Sequence, residues 1–209
     1  MFYKTFKRIM DFMLSIIGFI ILIPIFIILV LLIKLTSKGP VLFKQKRVGK
    51  NKKHFNIYKF RTMRIDTPSD MPTHMLDNPD QWITKIGKFL RKTSLDELPQ
   101  IFNIMKGDMS IVGPRPALWN QYDLIEERDK YGANDIYPGL TGYAQIKGRD
   151  ELPIEQKAEL DGYYTKNIGF WLDVKVFFGT IVSVFKSDGV VEGGTGTIEK
   201  DLDEEEIDE

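Results

Sequence analysis

The sequence contains no cysteine, which removes disulfides, thiolate nucleophiles and cysteine-ligated zinc from consideration. Histidine is nearly as scarce: only His54 and His74 are present, and each reads as a surface residue rather than a ligand. Any nucleophile or metal ligand must therefore come mostly from carboxylates or hydroxyls. Acids are almost missing from the first third of the chain. Met1 to Arg64 carry fourteen Lys and Arg against one acid, Asp11, a net +13 hidden by a whole-chain charge of zero. Such an imbalance signals an anionic partner. The compensating acids come at the far end, where "EKDLDEEEIDE" sets eight acids against Lys200. That composition is too charged to pack and predicts a disordered acidic tail over 198–209. No repeat of solenoid length is present, and 209 residues suffice for one domain with its own core.

What is abundant is hydrophobicity in one place. Phe12 to Ile33 is a run of twenty-two residues without a charge. As a helix it reaches roughly 33 Å, enough to span a hydrocarbon core. It is too long for the apolar region of a signal peptide. The anionic partner is therefore a membrane surface before it is nucleic acid. Lys4, Lys7 and Arg8 precede the run, and Lys34, Lys38, Lys44, Lys46 and Arg47 follow it. Basic flanks on both sides suit the positive-inside preference only if both ends face the cytoplasm. Pro24, near the middle, removes a backbone donor and favours a kink, as in a re-entrant helix. An ordinary span with a tolerated proline stays open on the residues alone.

Beyond the membrane segment the pattern is mixed. Val41 to Val48 and Phe55 to Phe60 flank "GKNKK" and predict a short β-hairpin. Asp66 to Gln81 is rich in Pro and Asp and reads as a loop. "WITKIGKFLRK" places Ile83, Ile86 and Leu90 on one helical face. "LWNQYDLIEERDKYG" predicts a helix closing at Gly132, and "IYPGLTGYAQIKGR" a loop with a short strand. "DELPIEQKAELDGYYTKN" predicts a solvated helix. "FWLDVKVFFGTIVSVFK" is an amphipathic helix suited to a headgroup layer or to a core. The fold class expected is α+β and helix-rich. A re-entrant membrane helix over 1–36 precedes a cytoplasmic catalytic domain, over 37–197, of amphipathic helices and one short β-hairpin.

Two acid pairs stand out because both lie in the tetrapeptide "DELP": Asp96-Glu97 and Asp150-Glu151. Helix capping accounts for the second, since Pro153 suits a first helical turn and acids favour the positive end of the dipole. The first pair also lies at a predicted helix start, with Ser94 and Glu97 fitting a capping box and Pro99 confining the turn. Its neighbours differ, however. Arg91 precedes it, and Arg115 follows between two prolines with a guanidinium fork that matches phosphate oxygens. Two carboxylates with flanking arginines suit a phosphate ester and a divalent cation, and a carboxylate can also attack phosphorus. A capped helix with surface arginines is the plainer alternative.

"KFRTM", "RKTSLDELPQIFNIMKGDMSIVGPRPAL" and "PGLTGYAQIKGR" resemble the three signature blocks of the bacterial sugar transferase family. The chain is most similar to the small monotopic phosphoglycosyl transferases, from about Lys7 to Lys200. The resemblance implies transfer of a phosphosugar from a UDP-sugar to undecaprenyl phosphate, with Mg²⁺ and release of UMP. That reaction starts a surface glycan, such as a capsule or exopolysaccharide, at the cytoplasmic face of the bacterial inner membrane. Membrane lipids and the two substrates are the implied partners, and nucleic acid is not one. Asp96 matches the family's nucleophile, which carries the phosphosugar covalently. Glu97 matches its partner acid, serving the metal or the second proton transfer, and both are the implied metal-holding carboxylates. Arg91 and Arg115 match arginines near the phosphates. Lys59 and Arg61 of "KFRTM" are candidate further cations, and Gln145 and Arg149 candidate nucleotide or sugar contacts. The family also implies the re-entrant helix. One departure is Ile23, where small members often carry Ser before the central Pro; re-entry here rests on Pro24 and the flanking charges. The rival readings are a membrane-anchored glycosyltransferase, which would release UDP, and a non-enzymatic membrane scaffold. The sole Asp-x-Asp for the former, Asp201-Leu-Asp203, lies in the acidic tail.

Overall fold

The computed structural model describes residues 2–67, 81–148 and 152–186. The acidic tail, Arg149, the Asp150-Glu151 pair and most of the Pro- and Asp-rich loop fall outside them. The longest element is α1, Phe2–Thr36, which runs on through Pro24. By length and composition it is apolar enough to cross a membrane. Asp11, Ser15, Phe26, Leu29 and Ile33 are its buried residues, spaced at three, four and eleven along one helical stripe. Ile17, Ile20, Ile21, Ile27, Ile28 and Leu31 remain exposed, an apolar face of the kind that marks a membrane contact.

The expected hairpin is present. β1, Leu42–Val48, pairs antiparallel with β2, His54–Phe60, from Leu42↔Phe60 to Val48↔His54. Its tip is a tight turn in which Asn51 and Lys52 take positive φ. α2, Lys85–Lys92, starts on a Thr84 side-chain cap and presents Leu90 inward. A 3₁₀ segment, Leu95–Gln100, then leads into α3, Ile101–Lys106, which ends on Gly107 at φ 92°. The apolar core formed by these pieces with α1 joins Phe26, Leu29, Ile33, Phe60, Leu90 and Ile101. Phe26 meets the rings of Phe60 at 5.4 Å and Phe102 at 5.8 Å, in the tilted and edge-on arrangements that aromatic quadrupoles favour.

The second half adds a feature that three-residue strands hide from any periodicity. β3, Ser110–Val112, pairs in parallel with β4, Gly139–Thr141. A Cβ at Gly139 would lie 2.1 Å from the nitrogen of Gly113, so only glycine permits this approach. Around it stand α4, Tyr122–Asp129; α5, Tyr143–Lys147; α6, Ile154–Lys166; and α7, Phe170–Lys186. α5 corrects the reading of "PGLTGYAQIKGR" as loop and strand alone. α6 is less solvated than its charge suggested. Asp161 on α6 is buried and accepts from Nε of the buried Arg128 on α4 at 2.9 Å, an arrangement that spares either charge from standing alone in the interior.

α1 is tied down at both ends. Near its start, Tyr3 donates to Asp173 of α7 at 2.8 Å and Lys7 pairs with the same carboxylate at 2.7 Å. Arg8 donates to the Met109 carbonyl at 2.8 Å. Asp11 accepts from the Ser110 hydroxyl at 2.6 Å and from the Ile111 amide at 3.2 Å. Asp11 is thus a structural residue; its signal was its isolation, a lone acid in a stretch where burial demands a partner.

Candidate active site

Three chain segments bring the acids and cations together. α2 ends at Lys92, and Ser94 adopts φ 56° to turn the chain into the 3₁₀ segment holding Asp96 and Glu97. In that left-handed conformation the Ser94 side chain makes no cap, so the expected capping box does not form. Glu97 uses its carboxylate elsewhere. Arg115 donates to it twice, Nη2 to Oε1 at 2.7 Å and Nη1 to Oε2 at 3.3 Å, the bidentate fork that arginine offers a carboxylate. Lys59, from β2, reaches the same Oε1 at 2.8 Å and stands 3.8 Å from Asp96 Oδ2. β2 and the loop after β3 thus clamp the 3₁₀ segment from two sides. Arg115 is held by its own backbone neighbours: the Pro114 carbonyl accepts from Gly139 at 2.8 Å, and the Pro116 carbonyl from Arg47 at 3.0 Å.

The two neighbouring acids have opposite electrostatic fates. Burial raises the Asp96 carboxyl above its ordinary value and Glu97 adds to the rise, against the pull of Lys59, Arg91 and Arg115. For Glu97 burial acts the same way, but Arg115 and Lys59 outweigh it and hold the carboxyl well below the usual carboxylate range. Pushing two adjacent carboxyls apart in this way is how one site obtains two roles. Glu97 is a permanently ionised anchor for two cations. Asp96 is the one whose ionised form burial makes costly to keep.

The remaining sequence candidates divide. Arg91 lies within electrostatic reach of Asp96, and its Nε donates to Thr62 Oγ1 at 3.0 Å. Arg61 is directed elsewhere: its guanidinium donates to the carbonyls of Ser37 and Lys38 and to the Ser37 hydroxyl, closing the end of α1. It serves the seam between helix and hairpin, because the chain leaves β2 at Phe60 and Arg61 turns toward Val41. Gln145, on α5, approaches the Leu140 carbonyl at 3.5 Å, and its buried Oε1 has no partner among the described residues. Arg149 lies outside the described residues. Thr62 is the site residue the sequence reading missed; its signal was its place inside "KFRTM".

No group of three or more His, Asp or Glu side chains converges as a metal site among the described residues. Mg²⁺ commonly needs only one or two carboxylates when the substrate's phosphates supply the rest. With Glu97 engaged by Arg115 and Lys59, Asp96 has the larger share to offer, and the donor set fits a cation that arrives with a diphosphate. A cavity of about 10 Å³, lined by Pro114, Pro116, Arg128 and Asn134 among others, has room for one water and not for a sugar nucleotide.

Comparison with known proteins shows the family. The family model described as bacterial sugar transferase matches residues 2–187. The chain belongs to the bacterial sugar transferase family. Among curated members, it is 41% identical over 169 residues to the Bacillus subtilis (strain 168) "Uncharacterized sugar transferase EpsL", covering 80% of this chain and 81% of that one. It is 38% identical over 195 residues to the Aeromonas hydrophila "UDP-N-acetylgalactosamine-undecaprenyl-phosphate N-acetylgalactosaminephosphotransferase", covering 90% of this chain and 45% of the relative. It is also 38% identical over 190 residues to the Escherichia coli (strain K12) "UDP-glucose:undecaprenyl-phosphate glucose-1-phosphate transferase", covering 87% of this chain and 40% of the relative. The sugar transferase described here thus spans less than half the length of the last two. The match nonetheless takes in α1 and every residue of the acid and cation cluster.

Proposed function

We propose that this sugar transferase moves a sugar-1-phosphate from a UDP-sugar to undecaprenyl phosphate through a covalent intermediate on Asp96. The observation carrying the reading is the split between the two acids: Glu97 held ionised by Lys59 and Arg115, and Asp96 buried beside the same cations. The names of the relatives supply the substrate class. A carboxylate oxygen of Asp96 attacks the phosphorus bearing the sugar. The bond from that phosphorus to the bridging oxygen breaks, and UMP leaves with the electron pair. An oxygen of undecaprenyl phosphate then attacks the same phosphorus, releasing the Asp96 carboxylate and forming the polyprenyl diphosphosugar. Arg91 and Arg115 bind phosphate oxygens, and Lys59 offsets charge between the two acids. Asp96, and with a lesser share Glu97, would hold Mg²⁺, which would supply neutralisation of the diphosphate charge.

The released nucleotide tests this. Screening UDP-sugars with undecaprenyl phosphate is expected to yield UMP for the active donor. Release of UDP would mark a glycosyltransferase that attacks the sugar carbon, and no release with any donor would favour a scaffold.

We also propose that α1 re-enters the cytoplasmic leaflet, giving a membrane helix over 1–36, a catalytic domain over 37–197 at the cytoplasmic face of the inner membrane, and an acidic tail over 198–209. In support, Tyr3 and Lys7 at one end of α1 and Ser37 just past the other bond to the same domain. A transverse span would set those ends on opposite sides of the membrane, where one domain could not hold both. The exposed Trp171 and Phe178 of α7 suit the headgroup layer. Because the chain has no cysteine, K4C and K53C are clean probes. Neither is expected to react with an impermeant maleimide in intact cells, and both should react after permeabilisation. Labelling of one alone in intact cells would establish a span.

A further inference from the structure

Resting on the reading of Arg91 as a phosphate-binding residue, we propose that Thr62 is a positioning residue whose hydroxyl fixes the Arg91 guanidinium for the diphosphate of the donor. Thr62 follows the last residues of β2 and is buried. Its Oγ1 accepts from Arg91 Nε at 3.0 Å. Its carbonyl accepts from the Thr84 amide at 3.0 Å and the Thr84 hydroxyl at 3.2 Å. Thr84 Oγ1 in turn accepts from the Gly87 amide at 3.0 Å, capping α2. A Cβ at Gly87 would lie 2.0 Å from the Thr62 carbonyl oxygen, so the helix can press onto Thr62 only because residue 87 is glycine.

Gly87 and Arg91 are four residues apart and share a face of α2. The helix face clamped onto Thr62 is therefore the one that carries Arg91. An arginine has a long flexible stem, and ordering it on a ligand costs rotamer freedom. A hydrogen bond at Nε holds the fork in a fixed plane beforehand, so less is lost when phosphate binds. Arg91 is already close enough to Asp96 to oppose the effect of burial on its carboxyl. Thr62 thus links the hairpin to the cation beside the nucleophile, and it acts through Arg91 without touching substrate.

The test measures the affinity of the full chain in detergent for UDP, the diphosphate common to all UDP-sugar donors. T62V is expected to weaken UDP about tenfold, the scale of one hydrogen bond to a charged group. T62S, which keeps the hydroxyl, should stay within about twofold of wild type. R91K removes the Nε–H that Thr62 holds, so adding T62V to R91K should weaken binding no further. T62V binding UDP like wild type overturns the proposal, as does an equal additional loss in the R91K background. If R91K itself binds UDP normally, the phosphate-binding reading of Arg91 fails and takes this proposal with it. Should T62V not accumulate as folded protein, T62A makes the same comparison, with its unliganded melting temperature reported beside its affinity.

Discussion

Asp96→Asn is expected to abolish turnover, by about 10⁴-fold or more, the scale seen when an enzyme's acting group is removed. Asparagine fills nearly the same space, so the buried 3₁₀ segment has no cavity to collapse into. What disappears is the charge and the oxygen able to bond phosphorus. The substitution should not destabilise the fold. A carboxyl whose folded pKa is raised favours folding only below its unfolded pKa, and that contribution is lost as pH rises through the folded value. Burial raises Asp96 in this way, so at neutral pH its ionised form is a cost that a neutral amide removes. The melting temperature of Asp96→Asn should therefore equal or exceed that of wild type, a trade of stability for activity common at reactive sites. Asp150→Asn is expected to turn over normally, because its acid pair reads as a helix cap. The two variants are compared by nucleotide release under identical conditions. Comparable losses in both, or an active Asp96→Asn, would mean that Asp96 is not the reacting acid.

What was legible in the sequence, and what was not, has physical causes. The hairpin was legible because β-branched and aromatic runs flank a turn rich in Gly, Asn and Lys, all local information. The acids and both arginines were legible because they lie close in sequence with chemistry that fits phosphate. The electrostatic split between Asp96 and Glu97 was not. It depends on β2 placing Lys59 against the 3₁₀ segment and on Arg115 returning from beyond β3, both long-range placements. Arg61 illustrates the same limit: two residues from Lys59, it caps α1 because the strand ends between them. Ser94 shows the opposite failure, a correct residue type for a cap in a backbone conformation that forbids it. β3 and β4 are three residues each, too short for alternation to register, and parallel pairing leaves no turn to mark it. α1 was found at once from its apolar run. That its two ends meet one domain depends on Asp173 and Arg61, more than a hundred residues apart.

A UDP-sugar supplied without any lipid is expected to release UMP in a burst of about one equivalent per active enzyme, and then stop. Covalent catalysis divides the transfer into two half-reactions, and only the second needs the acceptor. In the proposed mechanism the first half-reaction draws on this chain's own residues. Asp96 stands among cations, with Lys59 at 3.8 Å and Arg115 bridged to the adjacent Glu97. In the proposed mechanism these cations offset the repulsion between the carboxylate and the incoming diphosphate. Cysteine is absent and His54 is exposed on the hairpin, while His74 lies outside the described residues. Protein quenched after the burst should carry the added mass of one sugar phosphate on the peptide containing Asp96. Adding undecaprenyl phosphate should discharge it and restore continuous turnover. Because the attacking form is the ionised one, the burst rate should rise with pH through the elevated pKa of Asp96 and level off above it. If UMP appears only when undecaprenyl phosphate is also present and no adduct can be trapped, transfer is direct. Asp96 would then act as a metal ligand or base in a single displacement, and the buried carboxyl would tune proton transfer instead of attacking phosphorus.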